Sequence, residues 1–142
     1  MPVIVAEPKE EYEAKKLIAI PVINEVPAGY PEYPILDDYV QAYIYIPDTP
    51  SKAFGLYVRG DSMVPELNDN DIVIVNPAIR DFVTGEMGVF RLTTGTTVKY
   101  YYKDVEKAWL QPKNPKYPSI ILTEEIECIA IGKVIWKIIK CI

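Results

Sequence analysis

The chain reads as a single mostly-β domain, a folded antiparallel sheet or partial barrel, and three observations lead there. Short runs rich in Val, Ile, Tyr and Thr recur along its 142 residues, several with period-two alternation. Thirteen prolines cut the sequence into short pieces that no long helix can bridge. No stretch carries the three-to-four spacing of a long amphipathic helix. With 49% hydrophobic and 25% charged residues it belongs with globular chains, and its length suffices to bury a core without disulfides or metals.

Taken in order, residues 1–19 read as a linker or the tail of an upstream domain, because 7–16 (EPKEEYEAKK) is charged and flanked by proline. Met1 to Pro8 lacks the basic start of a signal peptide. The apolar segment Leu17 to Val26 leads into Pro27-Ala28-Gly29-Tyr30-Pro31-Glu32-Tyr33-Pro34, where prolines and a glycine forbid a helix. This stretch reads as an extended, accessible strand and turn. From 39 to 142 eight strands are predicted: Ala42 to Ile46, Phe54 to Arg59, Asp71 to Asn76, Gly88 to Leu92, Thr96 to Tyr102, Ala108 to Gln111, Ile120 to Thr123 and Ile126 to Lys140. Thr93-Thr94-Gly95-Thr96 reads as a hairpin loop with Gly95 at positive φ, which places Lys99 inside a strand.

Composition excludes several classes of function. The net charge is −5 and no basic stripe is long enough to neutralise a phosphate backbone, so this stretch is a poor DNA binder by itself. Cys128 and Cys141 have no His or Cys cluster beside them, which leaves no zinc site and suggests two reduced thiols in a cytoplasmic protein. The apolar run from Ile129 to Ile139 is broken by Gly132, Lys133 and Lys137, well short of a membrane span. Asp69, Asp71, Glu124, Glu125 and Glu127 form no calcium-loop pattern and read as solvated surface. Arg59-Gly60-Asp61 matches an adhesion tripeptide only by coincidence with the turn that follows.

The chain contains no histidine, so serine chemistry here requires another base. Gly60-Asp61-Ser62-Met63 supplies a nucleophile on a tight turn and Val98-Lys99 an amine. A lysine acts as a base only when neutral, and burial among apolar strand residues and tyrosines lowers its pKa from about 10.4. The backbone amides of Asp61 and Ser62 are candidates for an oxyanion site. Taken singly, Ser62 reads equally well as a turn residue and Lys99 as a solvent-facing strand lysine.

The joint pattern is more specific. Gly60-Asp61-Ser62-Met63-Val64-Pro65, Asn68-Asp69-Asn70-Asp71-Ile72-Val73-Ile74-Val75, Thr96-Thr97-Val98-Lys99, Leu110-Gln111-Pro112-Lys113-Asn114-Pro115-Lys116-Tyr117-Pro118 and Ile131-Gly132-Lys133-Val134-Ile135 follow one another in order. This series resembles the peptidase domain of LexA, UmuD and the self-cleaving phage repressors, over Ile20 to Ile139. The resemblance implies a LexA C-terminal type of fold, Ser62 as nucleophile, Lys99 as base, and a scissile bond between Ala28 and Gly29 in the same chain. It also implies a homodimer, a RecA-DNA filament as co-protease in the response to DNA damage, and DNA contact only through a separate N-terminal domain. No cofactor or metal is implied.

Residues 20–38 then become the cleavage-site region, and 39–142 a peptidase and dimerisation domain. Three departures bear on this. Pro27 stands where LexA has alanine and removes a donor beside the scissile bond; Asn70 replaces a glycine but tolerates left-handed geometry; Met87 and Gly88 replace a Val-rich stretch. Two other readings stay open: a UmuD-like stand-alone accessory of translesion synthesis, favoured by the start at Met1 and the length, and a catalytically idle dimerisation module.

Overall fold

Within residues 17–141, the part that the computed structural model describes, nine strands account for the fold. They are β1 Leu17–Ile23, β2 Val40–Pro47, β3 Phe54–Tyr57, β4 Ile72–Asn76, β5 Glu86–Leu92, β6 Gly95–Lys103, β7 Ala108–Gln111, β8 Ile120–Leu122 and β9 Cys128–Ile138. One 3-10 turn, Asp37–Tyr39, is the only helical element among the described residues. The mostly-β expectation holds, and all eight strands predicted after residue 39 are present. The last is shorter than expected, because the Ile126 amide bonds back to Thr123 O in a turn and the strand starts at Cys128.

The first strand falls differently. β1 begins at Leu17, inside the stretch expected to be linker, where Leu17, Ile18 and Ala19 pair with Pro47, Ile46 and Tyr45. The rest of that expected linker, residues 1–16 with the Met1 to Pro8 segment, lies outside the described residues.

The strands join in one sheet in the order β2-β1-β3-β4-β9-β5-β6-β7-β8. Every pair is antiparallel except β1 with β3, where Val22 and Ile23 run parallel beside Gly55 and Leu56. The sheet is therefore mixed. Local patterning sets which face a side chain takes but carries no record of which distant strand it joins, so this parallel pair was not legible beforehand.

Both faces of the central strands are covered, which explains why β4 is apolar at consecutive positions. Val73 and Val75 point into a cluster with Ile23, Phe54, Leu56, Met63, Leu67, Val89, Val98 and Ile131. Ile74 points the other way, against Ile20, Ile46 and Ala53. The first cluster reaches the Ser62 turn through Met63 and Leu67, both almost fully buried, and it reaches β6 through Val98. Ser62 and the strand carrying Lys99 are thus mounted on one packed body.

Candidate active site

The turn holding Ser62 leaves the end of β3 and returns at β4. Its base is closed by Val58 N–H to Asp71 O (2.7 Å) and Asn70 N–H to Val58 O (2.8 Å). Asp71 is buried, and its carboxylate accepts the amides of Asn68 (2.8 Å) and Lys140 (3.1 Å). Asp69 accepts the Gly60 amide at 2.8 Å. These two acids are occupied in building the turn.

Gly60 has φ +82°, a left-handed conformation that disfavours any residue with a Cβ, although a Cβ there would meet nothing within 4 Å. The glycine is needed for backbone geometry rather than for space within the chain. Asn70 takes φ +75°, the left-handed geometry anticipated for it. Arg59 donates to the side chains of Asn24 and Asn70 and lies over the Tyr57 ring, so its guanidinium ties the end of β1 to this turn.

Lys99 lies on β6 opposite Gly88 of β5 and is only 7% exposed. The hairpin before it is tight: Leu92 pairs with Gly95, and Gly95 takes φ +125°. The Lys99 Nζ stands 2.9 Å from Ser62 Oγ, 2.5 Å from Thr97 Oγ1 and 3.2 Å from Val98 O. A charged ammonium would donate to all three. A neutral amine has two hydrogens and one lone pair, so Thr97 Oγ1 and Val98 O can take the hydrogens while the lone pair accepts the Ser62 hydroxyl proton.

Burial pushes the Lys99 pKa down to about 8, with no carboxylate among the causes to hold the proton on. A depressed lysine pKa means that the unfolded chain binds this proton more readily than the folded one between pH 8 and 10.5. Stability should therefore rise with pH across that window, by about 3 kcal/mol from this residue. Urea melts from pH 7 to 10.5, in a Ser62→Ala background to prevent self-digestion, should show this gain relative to the same protein carrying Lys99→Met. A difference independent of pH would refute the depressed pKa.

The backbone of the turn is held from below. Asn114, buried in the segment after β7, donates its Nδ2 to Asp61 O and its amide to Ser62 O, both at 2.9 Å. The Tyr117 hydroxyl donates to the Asp61 carboxylate. Among the described residues the amides of Asp61 and Ser62 make no hydrogen bond of their own. They remain available to an incoming oxyanion.

Beside Ser62 opens a cavity of about 240 Å³, bordered by Asn24, Tyr57, Arg59, Met63 and the stretch from Thr94 into β6 at Val98. β7 pairs with β6 only from Tyr100 onward, so Gly95 to Lys99 has a sheet edge free on that side. Ala28 and Gly29 are exposed and neither lines this cavity. Their loop is held by Arg91, which donates to Pro27 O (2.6 Å) and Tyr30 O (3.1 Å). Tyr30 is buried edge-on against Phe54. The structure thus brings Ser62 and Lys99 together and leaves Ala28-Gly29 outside the cavity beside them.

Thr97, Asn114 and Arg91 were not singled out by sequence reasoning. Arg91 had a signal, a cation between Phe90 and Leu92 in a strand, and Asn114 a weaker one, an amide between two prolines. Among the remaining candidates, Cys128 is half-buried with its thiol pKa raised by burial, and Cys141 is exposed. Among the described residues no helix is long and apolar enough to cross a membrane.

Comparison with known proteins gives the family. Residues 21–135 match the family model described as Peptidase S24-like. The chain belongs to that family. The S24-like domain is 37% identical over 108 residues to a LexA repressor of Leptospira interrogans, covering 72% of this chain and 51% of that protein. To a LexA repressor of Acetivibrio thermocellus it is 33% identical over 139 residues, 91% of this chain and 60% of that protein. A third LexA repressor, from Oleidesulfovibrio alaskensis, is 32% identical over 130 residues, 87% of this chain and 60% of that protein. The chain spans somewhat over half the length of these relatives. It is a peptidase-family domain of the LexA and UmuD type, and its nine-stranded fold agrees with that membership.

Proposed function

We propose that this S24-like domain is the self-cleaving regulatory part of a LexA-like or phage-type repressor, cutting its own Ala28-Gly29 bond in response to DNA damage. The observation that carries the reading is the buried Lys99 amine 2.9 Å from the Ser62 hydroxyl. In the first step neutral Lys99 takes the Ser62 proton as Oγ attacks the Ala28 carbonyl carbon, and the oxyanion is received by the Asp61 and Ser62 amides. As the intermediate collapses, the bond from Ala28 C to Gly29 N breaks and the Lys99 ammonium returns a proton to the Gly29 amine. Water, deprotonated by Lys99, then frees the acyl group from Ser62.

The free edge of β6 beside the cavity suits a peptide that adds as an extended strand, with Ala28 and Gly29 small enough to let Oγ reach the carbonyl. For that the loop must leave Arg91, so the observed conformation is a resting one. A repressor that must persist until it is needed calls for a mostly unproductive state. In this proposal the domain works as a cytoplasmic homodimer, a RecA-DNA filament favours the productive loop, and DNA is bound by the part of the relatives that the chain does not match. Residues 20–38 act as the cleavage-site region and 39–142 as the peptidase and dimerisation unit.

The test is to incubate the purified protein from pH 6 to 10, with and without the filament, and weigh the products. A fragment beginning at Gly29, forming faster as pH rises, is the expected result. Protein that stays intact at every pH and with the filament would instead establish a catalytically idle module, the reading that the displaced loop also suits.

A further inference from the structure

We infer that Asn114 is a positioning residue for the oxyanion site, aiming the Ser62 amide by holding the opposite end of the same peptide group. The inference rests on the proposed self-cleavage and goes beyond it in assigning a role to a residue far from both members of the dyad in sequence. A peptide group is planar and trans, so its C=O and N–H point in opposite directions. The Asp61 C=O and the Ser62 N–H belong to one such group. Asn114 Nδ2 pulls the Asp61 oxygen toward itself at 2.9 Å, which turns the Ser62 N–H to the other side. The Asn114 amide does the same for the next group by binding Ser62 O at 2.9 Å.

The segment is built to hold that amide in place. Asn114 is 8% exposed, its Oδ1 accepts the Lys116 amide (3.0 Å), and its carbonyl accepts the Tyr117 amide (3.1 Å). Nδ2 therefore cannot swing away without breaking the turn in which it sits. Across the gap, Gly60 is fixed by Asp69, so the Asp61 to Ser62 stretch is clamped at both ends. Without the Nδ2 contact the Asp61 carbonyl keeps only the longer bond from the Val64 amide (3.2 Å), so the peptide group can tilt toward water and carry the Ser62 N–H with it. An oxyanion donor acts only when it already points at the developing charge.

The dyad is untouched by this contact. The Lys99 Nζ bonds to Ser62 Oγ, Thr97 Oγ1 and Val98 O, and none of these contacts involves the Asn114 side chain. Loss of Asn114 should therefore lower the limiting rate of cleavage without moving the pH at which the rate is half-maximal. A defect that merely loosened the fold would let water reach Lys99 and shift that midpoint upward.

The experiment compares wild type, Asn114→Ala and the volume-retaining Asn114→Leu. Self-cleavage is followed from pH 6 to 10, Ser62 is labelled with an alkyl fluorophosphonate whose phosphoryl oxygen probes the oxyanion site, and thermal melts report folding. Both variants are expected to cut and to label about ten- to a hundredfold more slowly at every pH, with an unchanged midpoint and a cooperative melt. Variants that cut and label like wild type overturn the inference while leaving the dyad intact. So does a rate loss that appears only with a shifted midpoint, or variants that both fail to melt cooperatively. A wild type that neither cuts nor labels overturns the proposed function as well.

Discussion

Replacing Ser62 or Lys99 by alanine should abolish cleavage at Ala28-Gly29, lowering the rate by about 10⁴-fold or more. The two losses should be similar in size and not additive, because nucleophile and base act in one proton transfer. Lys99→Arg should be as inert as Lys99→Ala, since a guanidinium does not give up its proton near neutral pH. In the wild type the active form carries neutral Lys99, whose pKa burial has pushed down to about 8. The rate should climb about tenfold per pH unit below 8 and level off above it. Initial rates from intact mass across pH 6 to 10 check both points. An alanine variant that still yields the Gly29 fragment would remove that residue from the mechanism, and a rate flat with pH would remove lysine as the base.

Arg91→Ala should act in the opposite direction and accelerate cleavage. Its guanidinium makes two charge-assisted bonds to the loop around Ala28-Gly29, at Pro27 O and Tyr30 O, and no other side chain among the described residues donates to those carbonyls. Each such bond contributes about 1–2 kcal/mol net when partly exposed to water. Releasing both should raise the productive population, and with it the rate, by about ten- to a hundredfold. The gain is limited because Tyr30 remains packed on Phe54. Since Arg91 makes no hydrogen bond to Lys99 or Ser62, the pH midpoint should not move. A rate equal to or below that of wild type would mean that Arg91 does not restrain the loop, or that it also holds the loop in the productive state.

The parts of the site that could be read in advance share a physical character. Asn70 and Gly95 were recognisable because left-handed backbone favours few residue types, and both take positive φ. Lys99 could be placed within a strand because Gly95 marks the hairpin before it. Its burial was inferable from the apolar and tyrosine neighbours, although a surface lysine has the same local pattern. Thr97 and Asn114 stood in the motifs without a role and Arg91 outside them, because each acts on a partner distant in the chain or in a role that any polar residue fills. Asn114 meets Asp61, and Arg91 meets Pro27 and Tyr30, only after the sheet has formed.

By itself the sequence determined what is local: the strand pieces, the turns that end them, a serine turn in a chain without histidine, and the ordered motifs that point to the S24-like family. Those features depend on backbone preference and side-chain type, which are properties of short segments. Only the tertiary structure decided the parallel contact of β1 with β3, the 2.9 Å approach of Lys99 to Ser62, the bracing of the turn by Asn114 and the tethering of the Pro27 to Tyr30 loop by Arg91. Each of these joins residues far apart in the chain, and such contacts exist only where packing of the whole sheet fixes both partners at once.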